Sequence, residues 1–586
     1  MKKWQLSATI SEDFIKQNPD IHPVVLQLLY NRGINTKEQI EVFLNNRLDE
    51  SKTLLVGNNK EYVFYDPFLF RDMEKAVDLI ISHIKAGNKI VVYGDYDADG
   101  VTSSVALLEV LETLQAKVEK YLPDRVSEGY GLNKKAIDQI ASDDCKLIIT
   151  VDNGIRNKEE ISYAQDKGID IIVTDHHVLP ENKKDLPDCL VINSSNVDDD
   201  YPWKYLAGVG VAFKLISALL YKSKLPEEQK QLLLERSLDL VAVGTIADMV
   251  NVLGENRLLI NHGLKVLNRN KRLGLNALIK VANINPGKKI EAWNVGWQIG
   301  PRLNAASRLG RANSAFTLLS TKDEKEAERF AIELNQRNIE RQEVTSAIMT
   351  QVEAQIDENN VPNLIIGLAE VDQKWNEGVI GLVAGRISEK YYRPTLIISR
   401  IKEEDGTISF KGSGRSVEEL NLIESIVSCS EFLNKYGGHP MACGFSVSSE
   451  DSLNKFKEKM LEIADTKLGK LELIPKINIE AELSSGILGL ELVEKVETLA
   501  PFGQNNPQPK FLIKDLKIED IMLMGVDSQH IKLRVNGFWA LAFGGAERYK
   551  DLKIDDRIDL VCYLDINDFN GNREAQLKII DIKKYD

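Results

Sequence analysis

The stretch Gly94-Asp95-Tyr96-Asp97-Ala98-Asp99-Gly100 constrains this chain more than any other. It follows the apolar run Lys89-Ile90-Val91-Val92-Tyr93 and opens into Val101-Thr102-Ser103-Ser104-Val105-Ala106-Leu107-Leu108. That pattern predicts a buried strand, a tight turn and a helix. Asp95, Asp97 and Asp99 stand at i, i+2 and i+4, so extended backbone projects all three carboxylates to one side. Three like charges held that close repel strongly unless cations neutralise them, and oxygen donors suit a hard divalent ion such as Mg2+ or Mn2+. A solvated Asp-Gly turn accounts for one or two acids in a loop. A third acid at the carboxyl end of a strand, where open α/β sheets put their ligands, points to metal.

Around this stretch the chain divides into five segments. Residues 1–70 carry two short amphipathic segments, around 23–29 and 36–44, with the spacing of helices packing on a larger core. In residues 71–320 helices alternate with strands at 89–93, 146–151, 170–174 and 189–192, then give way to mainly helical sequence, which predicts an α/β fold with a parallel doubly wound sheet. The first three of these strands end in acid: Asp97 and Asp99, then Asp152, then Asp175-His176-His177. Leu206-Ala207-Gly208-Val209-Gly210 resembles a nucleotide-binding turn but follows no clear strand, so its glycines read as close packing. Asp248 interrupts the apolar stretch 238–249 and on that segment alone is as well explained as a capped surface acid.

Thr321-Lys322-Asp323-Glu324 has capping-box spacing, and no Pro or Gly follows before 361. Residues 321–360 therefore read as a connecting helix, polar on nearly every side in its middle, bridging two lobes through solvent. A second α/β domain follows at 361–466, with Gly412-Ser413-Gly414-Arg415 and Gly437-Gly438-His439. Short alternating strands over 470–586 suggest a small β-barrel.

The 586 residues exceed one core, and 43% apolar with 28% charged residues is ordinary for a soluble protein. No apolar stretch is long enough to span a membrane and the N-terminus lacks the apolar core of a signal peptide, so a cytoplasmic protein is expected. The five cysteines form no Cys-x-x-Cys pair, which predicts free thiols. A net charge of −14 argues against indiscriminate coating of nucleic acid but leaves room for a local basic groove.

Acids joined by a His pair, in a chain with seven His, form the ligand set of a two-metal hydrolase acting on a phosphoryl group. The Asp-Tyr-Asp-Ala-Asp-Gly, Val-Asp-Asn-Gly-Ile, Thr-Asp-His-His and Gly-Thr-Ile-Ala-Asp segments, in this order, resemble the four motifs of the DHH phosphoesterase superfamily. The stretches 128–132, 300–308, 378–381, 437–439 and 501–507 extend the resemblance to its RecJ branch of single-strand-specific exonucleases. The resemblance implies a DHH catalytic domain, a DHH-associated substrate-binding domain and a C-terminal OB-fold that binds nucleic acid. It implies two Mn2+ or Mg2+ ions, one on Asp97 and Asp152, the other on Asp99, Asp152, His176 and Asp248, with Asp95 completing or orienting the first. His177 would face the scissile phosphate and Asp175 would fix the imidazoles. Arg308, Ser413, Arg415 and His439 would hold the 5′-terminal phosphate. The implied activity is 5′→3′ degradation of single-stranded DNA to mononucleotides in recombination and repair, with a single-strand-binding protein and a helicase as partners and no membrane.

Two positions depart from the superfamily's patterns: Tyr93 stands where other branches place a His, and Asn376 where RecJ proteins often have one. The alternatives are a DHH hydrolase of small phosphates (pyrophosphate, cyclic dinucleotides or very short oligonucleotides) and a non-catalytic single-strand-binding scaffold. The β-barrel and Tyr93 count against the first, and the complete ligand set against the second.

Overall fold

Val91, Tyr93, Ile148 and Val173 point into one apolar core, while Ile90, Val92, Ile149 and Ile172 point into another, because successive strand residues face opposite sides of a sheet. That alternation, with every position buried, marks a parallel sheet covered on both faces. Five parallel strands lie in the order Lys117–Tyr121, Lys89–Gly94, Cys145–Val151, Asp170–Asp175, Leu190–Asn193. The edge strand Lys117–Tyr121 was not among the expected strands. Its Lys-Val-Glu-Lys-Tyr sequence is too polar to stand out, and its pairing along Lys89–Tyr93 defines it. The computed structural model describes residues 2–44, 64–125, 127–269, 271–309, 312–403, 406–569 and 572–585.

The chain forms two compact units: residues 49–250 with 258–473, and residues 1–48 with 251–257 and 474–586. In the first, the doubly wound sheet and its helices are joined by a mixed five-stranded sheet. Its order is Lys435–His439, Ala442–Val447, Ile408–Arg415, Thr395–Lys402, Ile365–Leu368, with the helix Glu377–Tyr391 against it.

The helix Glu324–Glu353 belongs inside this unit and does not bridge lobes through solvent. Ala327, Ala331 and Leu334 are buried along it, and so are the polar Asn338, Arg341 and Thr345. A polar sequence disguised a buried face because those polar groups bond locally: Thr345 Oγ1 donates to the Arg341 carbonyl at 2.6 Å and Arg341 donates to Asn338 Oδ1 at 3.0 Å.

In the other unit, the long strands Phe511–Met524 and Arg557–Phe569 pair with each other and close a barrel through His530–Val535, Phe538–Ala542 and Asn572–Lys584. Its core includes Val25, Leu26, Leu28 and Leu29 from the N-terminal helix Pro23–Asn31 together with Leu492, Phe511, Leu533 and Leu560. The expected N-terminal segment 1–70 is therefore divided. Residues 2–44 pack with the barrel, where Arg32 pairs with Glu480, whereas Phe64 and Phe70 enter the core of the α/β unit. The Pro501–Pro507 stretch is structural: Asn506 accepts from Arg32 Nε at 2.6 Å and donates to the Leu499 and Pro501 carbonyls. All five cysteines are free. Among the described residues, no helix is long and apolar enough to cross a membrane.

Candidate metal centre

Each acid is aimed by a different local device. Asp97 is the N-cap of the helix Ala98–Thr113, its Oδ1 accepting the Asp99 and Gly100 amides at 2.9 and 3.1 Å. Asp99 lies in the first turn of that helix, where its two carboxylate oxygens accept the Gly208 and Val209 amides at 2.6 and 2.9 Å. These amides open the helix Gly208–Lys222, whose N-terminal dipole favours negative charge. The Gly-x-Gly read as close packing does pack closely, and it packs against the site: a Cβ on Gly208 would fall 2.6 Å from Asp152 Oδ1. Asp152 ends its strand with φ +64°, a left-handed turn that Asp tolerates and that swings its carboxylate across the strand ends. Asp248 caps the C-terminus of the helix Glu227–Ala247.

These devices converge. Ligand atoms of Asp95, Asp97 and Asp152 lie within 4.8 Å of one another, as do those of Asp99, His176 and Asp248, and those of Asp152, His176 and His177. His176 Nε2 is 3.0 Å from Asp152 Oδ1, 3.6 Å from Asp248 Oδ2 and 4.0 Å from Asp99 Oδ2. Buried Asp95 Oδ1, Asp152 Oδ1 and His176 Nε2 nevertheless make no hydrogen bond among the described residues. Buried polar atoms without partners are rare in native proteins, and a pocket of orphaned carboxylate and imidazole atoms fits divalent cations. Burial and neighbouring acids push the Asp95, Asp152 and Asp248 carboxyls well above their usual range, and Asp99 to about 7. Burial and the His177 charge lower His176 to about 4, so its ring keeps a lone pair for a metal.

Asp175 orients the His pair. Its Oδ1 accepts the amides of His176 and His177 and, at 2.7 Å, His177 Nδ1–H, while its Oδ2 accepts the Ile155 amide. It thus fixes the ring of His177 but only the backbone of His176. Burial raises the Asp175 carboxyl, yet its bond to His177 and the two imidazole charges outweigh that and hold it low. Partial burial lowers His177, and the Asp175 bond with the Asp95 and Asp99 charges more than reverses it.

Several residues of this site carried no assignment in the sequence. Tyr130 donates its hydroxyl to the Asp152 carbonyl at 3.2 Å and lies 3.0 Å from His177 Nδ1. Tyr93 and Tyr121 position its loop through the Gly131 carbonyl and Glu128, so Tyr93 is a buried support. Asn304 accepts the Ala98 amide at 2.8 Å, pinning the turn between Asp97 and Asp99. Asn376 caps the helix Glu377–Tyr391 by accepting the Gly378 amide.

The second cluster is basic. Ser413 and Arg415 sit on one face of their strand, close enough that a Cβ on Gly381 would lie 3.0 Å from Ser413 Oγ and 3.4 Å from Arg415 Nη2. His439 and Arg415 are both in register with Ala442, one on each side of it. Arg308 donates to the Gly378 carbonyl at 2.7 Å, and burial with the charges of Arg125, Arg341 and Arg415 lowers it to about 10. Arg341 extends this cluster. It is 9% exposed, its Nε has no hydrogen-bond partner among the described residues, and burial with Arg386 and Arg302 lowers it. Arg302 donates to Asn335 and the Gln298 carbonyl, and none of these three arginines has a carboxylate partner among the described residues. No sequence pattern signalled Arg341, because its spacing only reads as one more charge on a polar helix.

A DHH family, N-terminal domain matches residues 89–245, a DHHA1 domain residues 363–466 and a RecJ OB domain residues 479–581. The single-stranded-DNA-specific exonuclease RecJ of Bacillus subtilis is 36% identical over 99% of this chain and 70% of its own length. That of Escherichia coli is 32% identical over 96% of each. The chain belongs to the RecJ family. Thermus thermophilus RecJ in complex with Mn2+ superposes with a TM-score of 0.80 at 27% identity, covering 100% of this chain and 80% of that one, and its Mg2+ complex with 0.74 at 26%. Both solved RecJ complexes carry divalent metal, the cofactor that the acid and His cluster of this family member suits. The doubly wound sheet, the DHHA1 sheet and the closed barrel are the fold of that family.

Proposed function

We propose that this chain is a metal-dependent exonuclease that degrades single-stranded DNA from its 5′ end to mononucleotides, acting in recombination and repair in the cytoplasm with a single-strand-binding protein and a helicase. The observation that carries the reading is the pairing of an acid and His cluster holding orphaned ligand atoms with an arginine cluster that, among the described residues, makes no ion pair with a carboxylate, in the same compact unit. Asp97 and Asp152, with Asp95 beside them, would hold one ion, and Asp99, Asp152, His176 and Asp248 the other. Two Mn2+ or Mg2+ ions bound there supply Lewis acidity and hydroxide near neutral pH. Asp175 and Tyr130 fix the His177 ring by Nδ1, leaving Nε2 to face a phosphate oxygen. Arg308, Ser413, Arg415 and His439 receive the terminal phosphate and so set the first phosphodiester at the acids, which excludes internal cleavage. The barrel offers a nucleic-acid face of its own, where Lys532 lies 4.2 Å and Arg534 5.3 Å from the Trp539 ring.

End-labelled single-stranded DNA, duplex DNA, pyrophosphate and a cyclic dinucleotide, each with Mn2+ and with chelator, test this reading. Mononucleotide release from single strands alone is expected, with Asp152→Ala lowering kcat by about a thousandfold or more. Arg415→Ala should keep its metal and lose most of the preference for a 5′-phosphate. Preferential hydrolysis of pyrophosphate or the cyclic dinucleotide would overturn the reading.

A further inference from the structure

Tryptophan is seldom left in water, yet Trp293 and Trp297 are 60% and 70% exposed. They stand four residues apart, one turn, so their rings share a face of one helical rod. This rod runs through Ala292–Asn294, a π-helical turn at Val295–Ile299 and the helix Gly300–Leu309. π-turns inside helices are frequent at functional sites. The turn packs on the end of the helix that carries Asp248: a Cβ on Gly296 would lie 3.4 Å from Ile246 Cγ2, and one on Gly300 3.1 Å from Ala247 Cβ. Beyond Asp248, Met249 is 70% exposed with φ +59°, adding a soft apolar side chain to that end. Farther along the same rod, Asn304 pins the Asp97–Asp99 turn and Arg308 reaches the Gly378 carbonyl.

The rod therefore passes three stations in order: Arg308, then Asn304 at the acids, then the exposed tryptophans. From Trp297 to Arg308 it rises roughly 17 Å. We propose that Trp293 and Trp297 form a stacking platform for unpaired bases of the strand on the 3′ side of the bond being cut. The inference rests on the exonuclease reading, which puts the terminal phosphate at the Arg308 end. Every base has a flat π face, so such a platform grips a single strand whatever its sequence, and it rejects duplex because paired bases are already stacked. Apolar exposure alone would suit a protein partner equally. Continuity with the acids and with the phosphate-binding end favours DNA.

The test uses the full chain. In chelator, 5′-phosphorylated (dT)20 should quench tryptophan emission saturably, whereas the dinucleotide pTpT, too short to reach the platform, should not. Trp297→Ala and Trp293→Ala should each remove part of that quench. With Mn2+, each should raise KM for (dT)20 about tenfold while kcat, and hydrolysis of pTpT, stay within about twofold. Trp297→Phe should restore most of the affinity. Unchanged quench and unchanged KM in both alanine variants, with the parent active, would overturn the platform, as would quenching by pTpT equal to that by (dT)20. A parent that binds (dT)20 through the tryptophans without cutting it would sink the exonuclease reading and leave the platform standing.

Discussion

Asp99 concentrates the electrostatics of the centre in one side chain. Burial and the Asp97 charge hold its carboxyl up to about 7, although it accepts two helix-terminal amides. An acid whose folded pKa exceeds its unfolded value of about 3.9 is protonated in the fold and ionised when unfolded, so it costs stability as pH rises between the two values. Asp95, Asp152 and Asp248 are pushed the same way. Divalent metal requires these groups ionised and competes with protons. In chelator, these groups should make the chain less stable as pH rises from about 4 through 7. Added Mn2+ should raise Tm, and the rise should grow between about pH 5.5 and 8. At a metal concentration about a hundred times Kd, linkage supplies about 2.7 kcal/mol. Thermal melts with and without Mn2+ across that range check this; a metal-induced shift that does not vary with pH would refute it.

At the scale of elements, the helix Glu324–Glu353 shows why a polar sequence need not be a solvent-exposed one. Its buried Arg341 brings positive charge beside Arg302, Arg308 and Arg386 with no carboxylate ion pair to Arg341 among the described residues, which disfavours the ligand-free fold and favours an anion. Arg341→Met keeps the bulk and removes the charge. It should leave Tm unchanged or raised, yet raise KM for 5′-phosphorylated single strands about ten- to a hundredfold, the value of a hydrogen bond to a charged group. Arg341→Lys should recover part of that loss, and metal content should not move. An unchanged KM in Arg341→Met would assign the residue to packing alone.

At the scale of the whole molecule, the barrel unit is built from three separate stretches of chain. Arg257, from the short middle stretch, donates to the Leu499 carbonyl at 2.7 Å, and the N-terminal helices complete the barrel's core. Removing residues 470–586 would strip Val25, Leu26 and Leu28 of the apolar partners that the barrel supplies, so the barrel's role is better tested at its surface. Trp539→Ala should weaken binding to long single strands about five- to a hundredfold. Lys532→Ala should lower the slope of log K against log salt by about one. Fluorescence anisotropy over a salt series measures both. Full affinity and an unchanged slope in both variants would remove this face from the nucleic-acid path.

The sequence by itself determined the strand, turn and helix around Asp95–Asp99, the parallel sheet and the barrel. Strand-end acids, period-two burial and Gly-rich turns are local patterns, readable without knowing what packs where. The resemblance of its motifs added Asp248 as an expected ligand of a second metal, a role its own segment left undecided. Only the tertiary structure decided that Gly208 and Val209 donate to Asp99, that Tyr130 reaches His177, and that Arg341 is buried among arginines. It also decided that residues 2–44 complete the barrel. Each of those joins residues far apart in the chain, or turns a polar residue inward. Neither event leaves a periodic trace, because burial of a polar group depends on the partner that meets it and not on the residues beside it.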